Sequence, residues 1–219
     1  MTIHILNPNS SQTVTDGIDR AIDPMRAACG VPIRCHSLSA GPPGIETQAH
    51  VDGVVAPLLA QAAALESGAS AFVIACFSDP GLAALREQSA RPVLGIAESA
   101  VLTAMTMGQR FGIISILSRS IPRHMRFLGA MGVMDRLAAD LPLELGVAAL
   151  ADRGRTWDRL VSVGRSLRDQ NGAEVVILGC AGMAHYRADL AAELGRPVID
   201  PSQAATAMAI GRIALTLAP

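Results

Sequence analysis

The chain has 219 residues, half of them hydrophobic, with a formal net charge of −1. That length supports one large domain or two small α/β lobes with substantial cores, and no apolar run approaches the roughly 20 residues of a membrane-spanning helix. Scattered arginines at near-neutral charge, with 3% aromatic residues, argue against nucleic acid or an anionic membrane as the main partner.

Taken in order, Ile3-His-Ile-Leu6 predicts a short first strand, and Asn7-Pro-Asn9-Ser10-Ser11 a turn rich in capping residues. A helix is expected from there to about Asp23, ending before Pro24, with Val14, Ile18 and Ile22 on its inner side. Pro32 to Leu38 alternates as a second strand, which places Cys35 on the same face as Ile33. Gly41-Pro-Pro-Gly-Ile45-Glu46 is a rigid loop at a strand's carboxyl end, and a long helix is expected over about 47–67. The apolar run Ala71-Phe-Val-Ile-Ala75 reads as a buried parallel strand that delivers Cys76 to the loop Phe77-Ser-Asp-Pro80-Gly81. Pro92 to Ile96 closes a first β-α-β-α-β-α-β unit.

A connecting helix is expected from Glu98 to about Met107, followed by a strand over Arg110–Ser115 and a helix start at Ser118, Ser120 and Pro122. Leu145-Gly-Val-Ala-Ala149 is the candidate for the next strand. Trp157 to Arg168 reads as a helix, Val175 to Gly179 as a strand ending at Cys180, Pro197 to Asp200 as the closing strand, and Ser202 to about Leu217 as a final helix. The second half repeats the first: Arg91-Pro-Val-Leu-Gly95 follows Cys76 much as Arg196-Pro-Val-Ile-Asp200 follows Cys180. The expected fold class is α/β, with two similar lobes of mostly parallel sheet related by a pseudo-twofold. Residues 1–97 with 203–219 form one lobe and residues 98–202 the other.

Two absences narrow the chemistry. The sequence contains no Lys, which excludes a pyridoxal phosphate Schiff base and a Walker-type phosphate loop. The four cysteines, Cys29, Cys35, Cys76 and Cys180, include no CxxC pair, so a zinc site is not expected. No metal and no organic cofactor is expected. The start Met1-Thr-Ile-His-Ile-Leu lacks a basic n-region and a cleavage pattern, so a cytoplasmic location is expected and structural disulfides are not. Cys29 and Cys35 read as small buried hydrophobes. Cys76 and Cys180 differ, because each stands at a strand's carboxyl end, where open α/β sheets bind ligands. If the lobes face each other, the two thiols meet a small substrate from opposite sides. One thiolate and one thiol then make a base and an acid around one carbon, provided a helix N-terminus lowers the ordinary thiol pKa.

Asn7-Pro-Asn9-Ser10, Ala75-Cys76-Phe77-Ser78-Asp79-Pro80-Gly81-Leu82 and Leu178-Gly-Cys180-Ala-Gly-Met183 resemble the hydantoin and allantoin racemase branch of the aspartate/glutamate racemase superfamily. The resemblance runs end to end and includes the Gly41–Glu46 loop. It implies cofactor-independent racemisation of 5-substituted hydantoins, allantoin among the candidates, with Cys76 and Cys180 as acid and base between two α/β lobes. It places Asn7, Asn9 and Ser10 on the substrate-side loop, Phe77 and Ser78 after the first cysteine, and Ala181, Gly182 and Met183 after the second, where backbone N–H groups can meet a developing oxyanion. Ile45 in the Pro-rich loop and Ser115 at its strand's end complete the expected substrate contacts.

Some positions depart from the pattern. Ser78 stands where an acidic residue or Gly is also common, and His185-Tyr186 has no family role to carry over. The Cys-Thr-His signature of glutamate racemases is absent at Cys180, which counts against a dicarboxylate amino acid. Alternatives are a maleate isomerase-like enzyme or a racemase of another small acid, and a non-catalytic ligand-binding relative; arylmalonate decarboxylases manage with a single cysteine. A catalytic pair should be alkylated quickly and be protected by a hydantoin. The expected partners are a small hydantoin-type molecule and further copies of the chain in a homo-oligomer.

Overall fold

The computed structural model describes residues 1–27 and 29–217. Ala69-Ser-Ala-Phe-Val-Ile74 is buried at every position, as a strand covered on both faces must be. It forms β3 (Ala69–Ile74), which lies between β1 (Thr2–Asn7) and β4 (Val93–Gly95), with β2 (Ile33–Ser37) at the edge beyond β1. Every pairing in this sheet is parallel. The second sheet repeats the plan: β7 (Val175–Leu178) lies between β5 (Phe111–Ser115) and β8 (Val198–Ile199), with β6 (Leu137–Pro142) at the edge. Its pairings are parallel too. The orders β2-β1-β3-β4 and β6-β5-β7-β8 are one permutation used twice, which is the structural form of the sequence echo.

The helices are α1 (Gln12–Arg26), α2 (Gln48–Gly53), α3 (Val55–Leu65), α4 (Leu82–Gln88), α5 (Ile96–Met107), α6 (Ile121–Met131), α7 (Arg153–Asp169), α8 (Arg187–Leu194) and α9 (Pro201–Leu217). Ser11 caps α1 by accepting from Val14 N, and Thr47 caps α2 by accepting from His50 N. The helices that follow β4 and β8 exchange partners. Ala97, Ala100, Val101 and Ala104 of α5 pack with Phe111, Ile113, Val175 and Ile177 of the second sheet. Ala205 and Ala209 of α9 pack instead with Ile3, Ile5, Ala71 and Val73 of the first. Short side chains let α5 and α9 also lie against each other, tying the two sheets together.

Three details differ from the sequence expectation. The first helix runs through Pro24 to Arg26, because only the last turn follows the missing N–H. The long helix expected over 47–67 is two helices broken at Val54, just after Gly53. The edge strand of the second sheet is Leu137–Pro142, not Leu145–Ala149. Leu143 and Leu145 are apolar because they are buried as loop residues, and residues 147–151 turn into a short 3-10 segment. A Pro at the end of an edge strand costs no ladder bond, so Pro142 is tolerated there.

Candidate active site

The carboxyl ends of β1, β3, β5 and β7 converge on one cleft of about 440 Å³, its open mouth included. Cys76 follows β3 and Cys180 follows β7, so equivalent points of the two sheets supply one thiol each to the same space. Both are free thiols. Each is met by the backbone N–H two residues on: Gly182 N lies 3.4 Å from Cys180 Sγ, and Ser78 N donates to Cys76. A backbone donor held on sulfur favours thiolate over thiol. Burial works against it. Burial first, then the charges of Cys180 and Asp79, push the Cys76 thiol up to about 12, against the Ser78 amide and Arg123. Burial pushes Cys180 to about 11, with Gly182 N–H opposing and Glu46 and Asp200 adding to the rise. The expectation of lowered thiol pKa values is therefore corrected, because desolvation outweighs the local amides at both sulfurs. Fast alkylation is not expected of such thiols at neutral pH.

Each thiol also has a buried carboxylate nearby, held in the same place by different means. Asp79, at φ 41°, turns its carboxylate onto the start of α5, accepting from Ala97 N at 3.0 Å and Glu98 N at 2.9 Å. Gly95 leaves the space, since a Cβ there would stand 2.2 Å from the Asp79 carboxylate. In the second half the residue matching Gly95 is Asp200, which caps α9 directly by accepting from Ser202 N at 2.9 Å. The residue matching Asp79 is there Met183, buried in the core. Burial lifts Asp79 to about 7, its two amide donors opposing, and lifts Asp200 to about 6.

The Asn-rich turn is built as a scaffold. Asn7 is fully buried, and its Nδ2 donates to Asn9 Oδ1 at 3.0 Å and to Thr15 Oγ1 at 2.9 Å. Asn9 Oδ1 also accepts from Ser11 N, so Asn9 presents its Nδ2 to the cleft that it lines. Across the mouth, Glu46 Oε1 accepts from Val147 N at 2.8 Å and joins the Pro-rich loop to the segment after β6. Ile45 and Val147 line the cleft on either side of that link.

Of the residues expected at the site, Asn9, Ile45, Cys76, Phe77, Ser78, Cys180, Ala181 and Gly182 line the cleft. Asn7, Ser115 and Met183 are fully buried behind it. Ser10 is exposed, its N–H turned to Pro42 O. Arg123 and His124 on α6 also line the cleft, and the sequence reading did not include them. Arg123 gives one hydrogen bond from each terminal nitrogen, to Arg119 O and to Ser120 Oγ, both at 3.2 Å. Its Nε is buried without a partner among the described residues. His124 carried one sequence signal, its place one turn before core Leu128 on an amphipathic helix. Among the described residues no cluster of His, Cys, Asp or Glu is suited to a metal ion, and no helix is long and apolar enough to cross a membrane.

Comparison with known proteins agrees with this architecture. The model of the family described as Asp/Glu/Hydantoin racemase matches residues 3–209. The chain is 36% identical to a hydantoin racemase of Paenarthrobacter aurescens, over 98% of this chain and 92% of that protein. An allantoin racemase structure from Klebsiella pneumoniae superposes with TM-score 0.90 at 35% identity, covering 100% of this chain and 89% of the other. A second, from Pseudomonas fluorescens, gives TM-score 0.93 at 25% identity, covering 100% and 93%. Two matched parallel sheets with a thiol at the same point of each, and relatives of this kind along the whole chain, place it in the Asp/Glu/hydantoin racemase family, as an isomerase of the racemase and epimerase type.

Proposed function

We propose that this enzyme racemises 5-substituted hydantoins, allantoin among them, without a cofactor, and that Cys76 and Cys180 are its acid and base. The observation that carries the proposal is the arrival of both thiols in one cleft from equivalent ends of two similar sheets. The lobes that close on the substrate are residues 1–97 with 203–219, and residues 98–202. Repulsion between the two sulfurs disfavours ionising both, so the working state holds one thiolate and one thiol. The thiolate takes the proton from C5, and the C–H electron pair moves onto the adjacent C4 carbonyl oxygen. The opposite thiol then gives its proton to the other face of C5 as the pair returns to carbon. The stereocentre inverts, the total charge is unchanged and the two sulfurs have exchanged protonation states, ready for the other enantiomer.

Asn9 Nδ2 and Arg123 Nε supply donors for ring carbonyls, and Phe77 with Ile45 supplies apolar walls. A ring with two carbonyls and two N–H groups matches a cleft that offers Asn9, Ser78 and the cation Arg123 around its two thiols. The test is polarimetry with enantiopure allantoin and enantiopure 5-benzylhydantoin. Loss of rotation on either, faster than the uncatalysed rate and without change of mass, is expected. Unchanged rotation on both would exclude the hydantoin assignment.

A further inference from the structure

Three buried side chains stand beside the cleft with no task in the two-thiol mechanism. His124 lies on the inner face of α6 and is 4% exposed. Its Nδ1 is 2.7 Å from Asp140 Oδ2 and 3.1 Å from the Ser115 hydroxyl, and the same hydroxyl donates to Asp140 Oδ1. A carboxylate only accepts, so Nδ1 carries the proton of this imidazole, and in the neutral ring Nε2 is a bare lone pair. Ser115 shares Nδ1 with Asp140 instead of facing Nε2, so the trio is not the arrangement that activates a serine nucleophile. What it does is hold one imidazole in one tautomer. Phe77 fixes the ring plane from the other side, edge to face at 5.2 Å and 82°.

The cleft has a use for that lone pair. Among its side chains Asn9 Nδ2 and Arg123 Nε are donors, the oxygen of Asn9 is already taken by Asn7 Nδ2 and Ser11 N, and the Ser78 hydroxyl can give or accept. A ring bearing N–H groups needs an acceptor, and His124 lines the cleft together with Cys76 and Phe77. Among the described residues its Nδ1 alone is engaged by protein partners.

We propose that His124 is a substrate-binding residue whose Nε2 accepts a hydrogen bond from a ring N–H, selecting cyclic amides and imides over carboxylate substrates, with Asp140 and Ser115 as the positioning residues that hold its tautomer. The proposal rests on the hydantoin reading above. A carboxylate brings no donor to Nε2, and a site built around an unmet acceptor rejects such a ligand strongly.

The test uses the wild-type enzyme and 5,5-dimethylhydantoin, which binds without reacting because C5 carries no proton. Nitrogen-15 NMR of the imidazole should show Nδ1 protonated and Nε2 bare in the free enzyme. The Nε2 signal should shift on adding the ligand, and one of the two mono-N-methylated analogues should fail to produce that shift. In His124→Phe, kcat/KM for a 5-substituted hydantoin should fall about 100-fold, while the disfavoured N-methyl isomer changes less than about threefold, so that discrimination collapses. In Asp140→Asn the amide donates to Nδ1, the proton moves to Nε2, and the same discrimination should be lost. Nε2 protonated in the free enzyme would overturn the proposal. So would an unmoved Nε2 signal while the ligand protects Cys76 from alkylation. Failure of any hydantoin to bind or racemise would instead remove the substrate assignment, and this proposal with it.

Discussion

Exchanging the buried carboxylate between residues 79 and 95 tests whether the two halves solve one packing problem in two ways. In the first half the carboxylate at the head of α5 comes from Asp79, and in the second the matching carboxylate comes from Asp200. Asp79→Gly removes the acceptor for Ala97 N and Glu98 N while suiting the left-handed φ of 41°. Stranding two such N–H groups costs about 1–3 kcal/mol each, so a loss of about 2–6 kcal/mol is expected. Gly95→Asp alone drives a Cβ to 2.2 Å from the resident carboxylate. Overpacking with a second negative charge should cost about 3 kcal/mol or more. The double variant places a single carboxylate there from residue 95, as Asp200 does, and should lie within about 1.5 kcal/mol of wild type. Urea unfolding of the four proteins at pH 8 gives the coupling directly, and it should reach about 4 kcal/mol in favour of the double variant. Additive losses, leaving the double variant less stable than either single one, would refute the matched-carboxylate reasoning.

The raised carboxyls also give stability a pH dependence. Asp79 at about 7 and Asp200 at about 6 hold protons in the native state that the unfolded chain releases near its ordinary carboxylate value. Their contribution is fully present in acid and is lost as pH rises through about 6 and 7, so urea midpoints should fall over that window; a steady rise would contradict it. With the thiols pushed to about 12 and 11, thiolate is scarce at neutral pH. We therefore expect kcat/KM to climb about tenfold per unit from pH 7 to 9, and a plateau below pH 8 would show a far more acidic thiol.

Much of the site was legible because its key residues fall at strand ends. The runs before Cys76 and Cys180 are buried on both faces, so their composition announces parallel strands, and each thiol follows with a single residue between. The Leu137–Pro142 strand was not legible. It is an edge strand that carries Asp140 and ends in Pro, while the buried loop beyond it mimics a core strand. His124 escaped for another reason. Its partners lie 9 and 16 residues away on separate strands, and only the sheet brings them together. The role of Asp79 was hidden likewise, because its carboxylate serves a helix that starts beyond β4. Gly95 was the trace it left in the sequence, as the residue with no side chain to obstruct it.

The pairing of the two thiols is tested most directly by solvent deuterium exchange at C5, followed by NMR on each enantiomer with Cys76→Ser and Cys180→Ser and corrected for spontaneous exchange. Both variants should lose racemisation, because a serine hydroxyl is far too weak an acid to replace either thiol. Each should keep slow exchange on one enantiomer only, and the enantiomer should differ between the two variants. Full racemase activity surviving in either variant would contradict the two-thiol account.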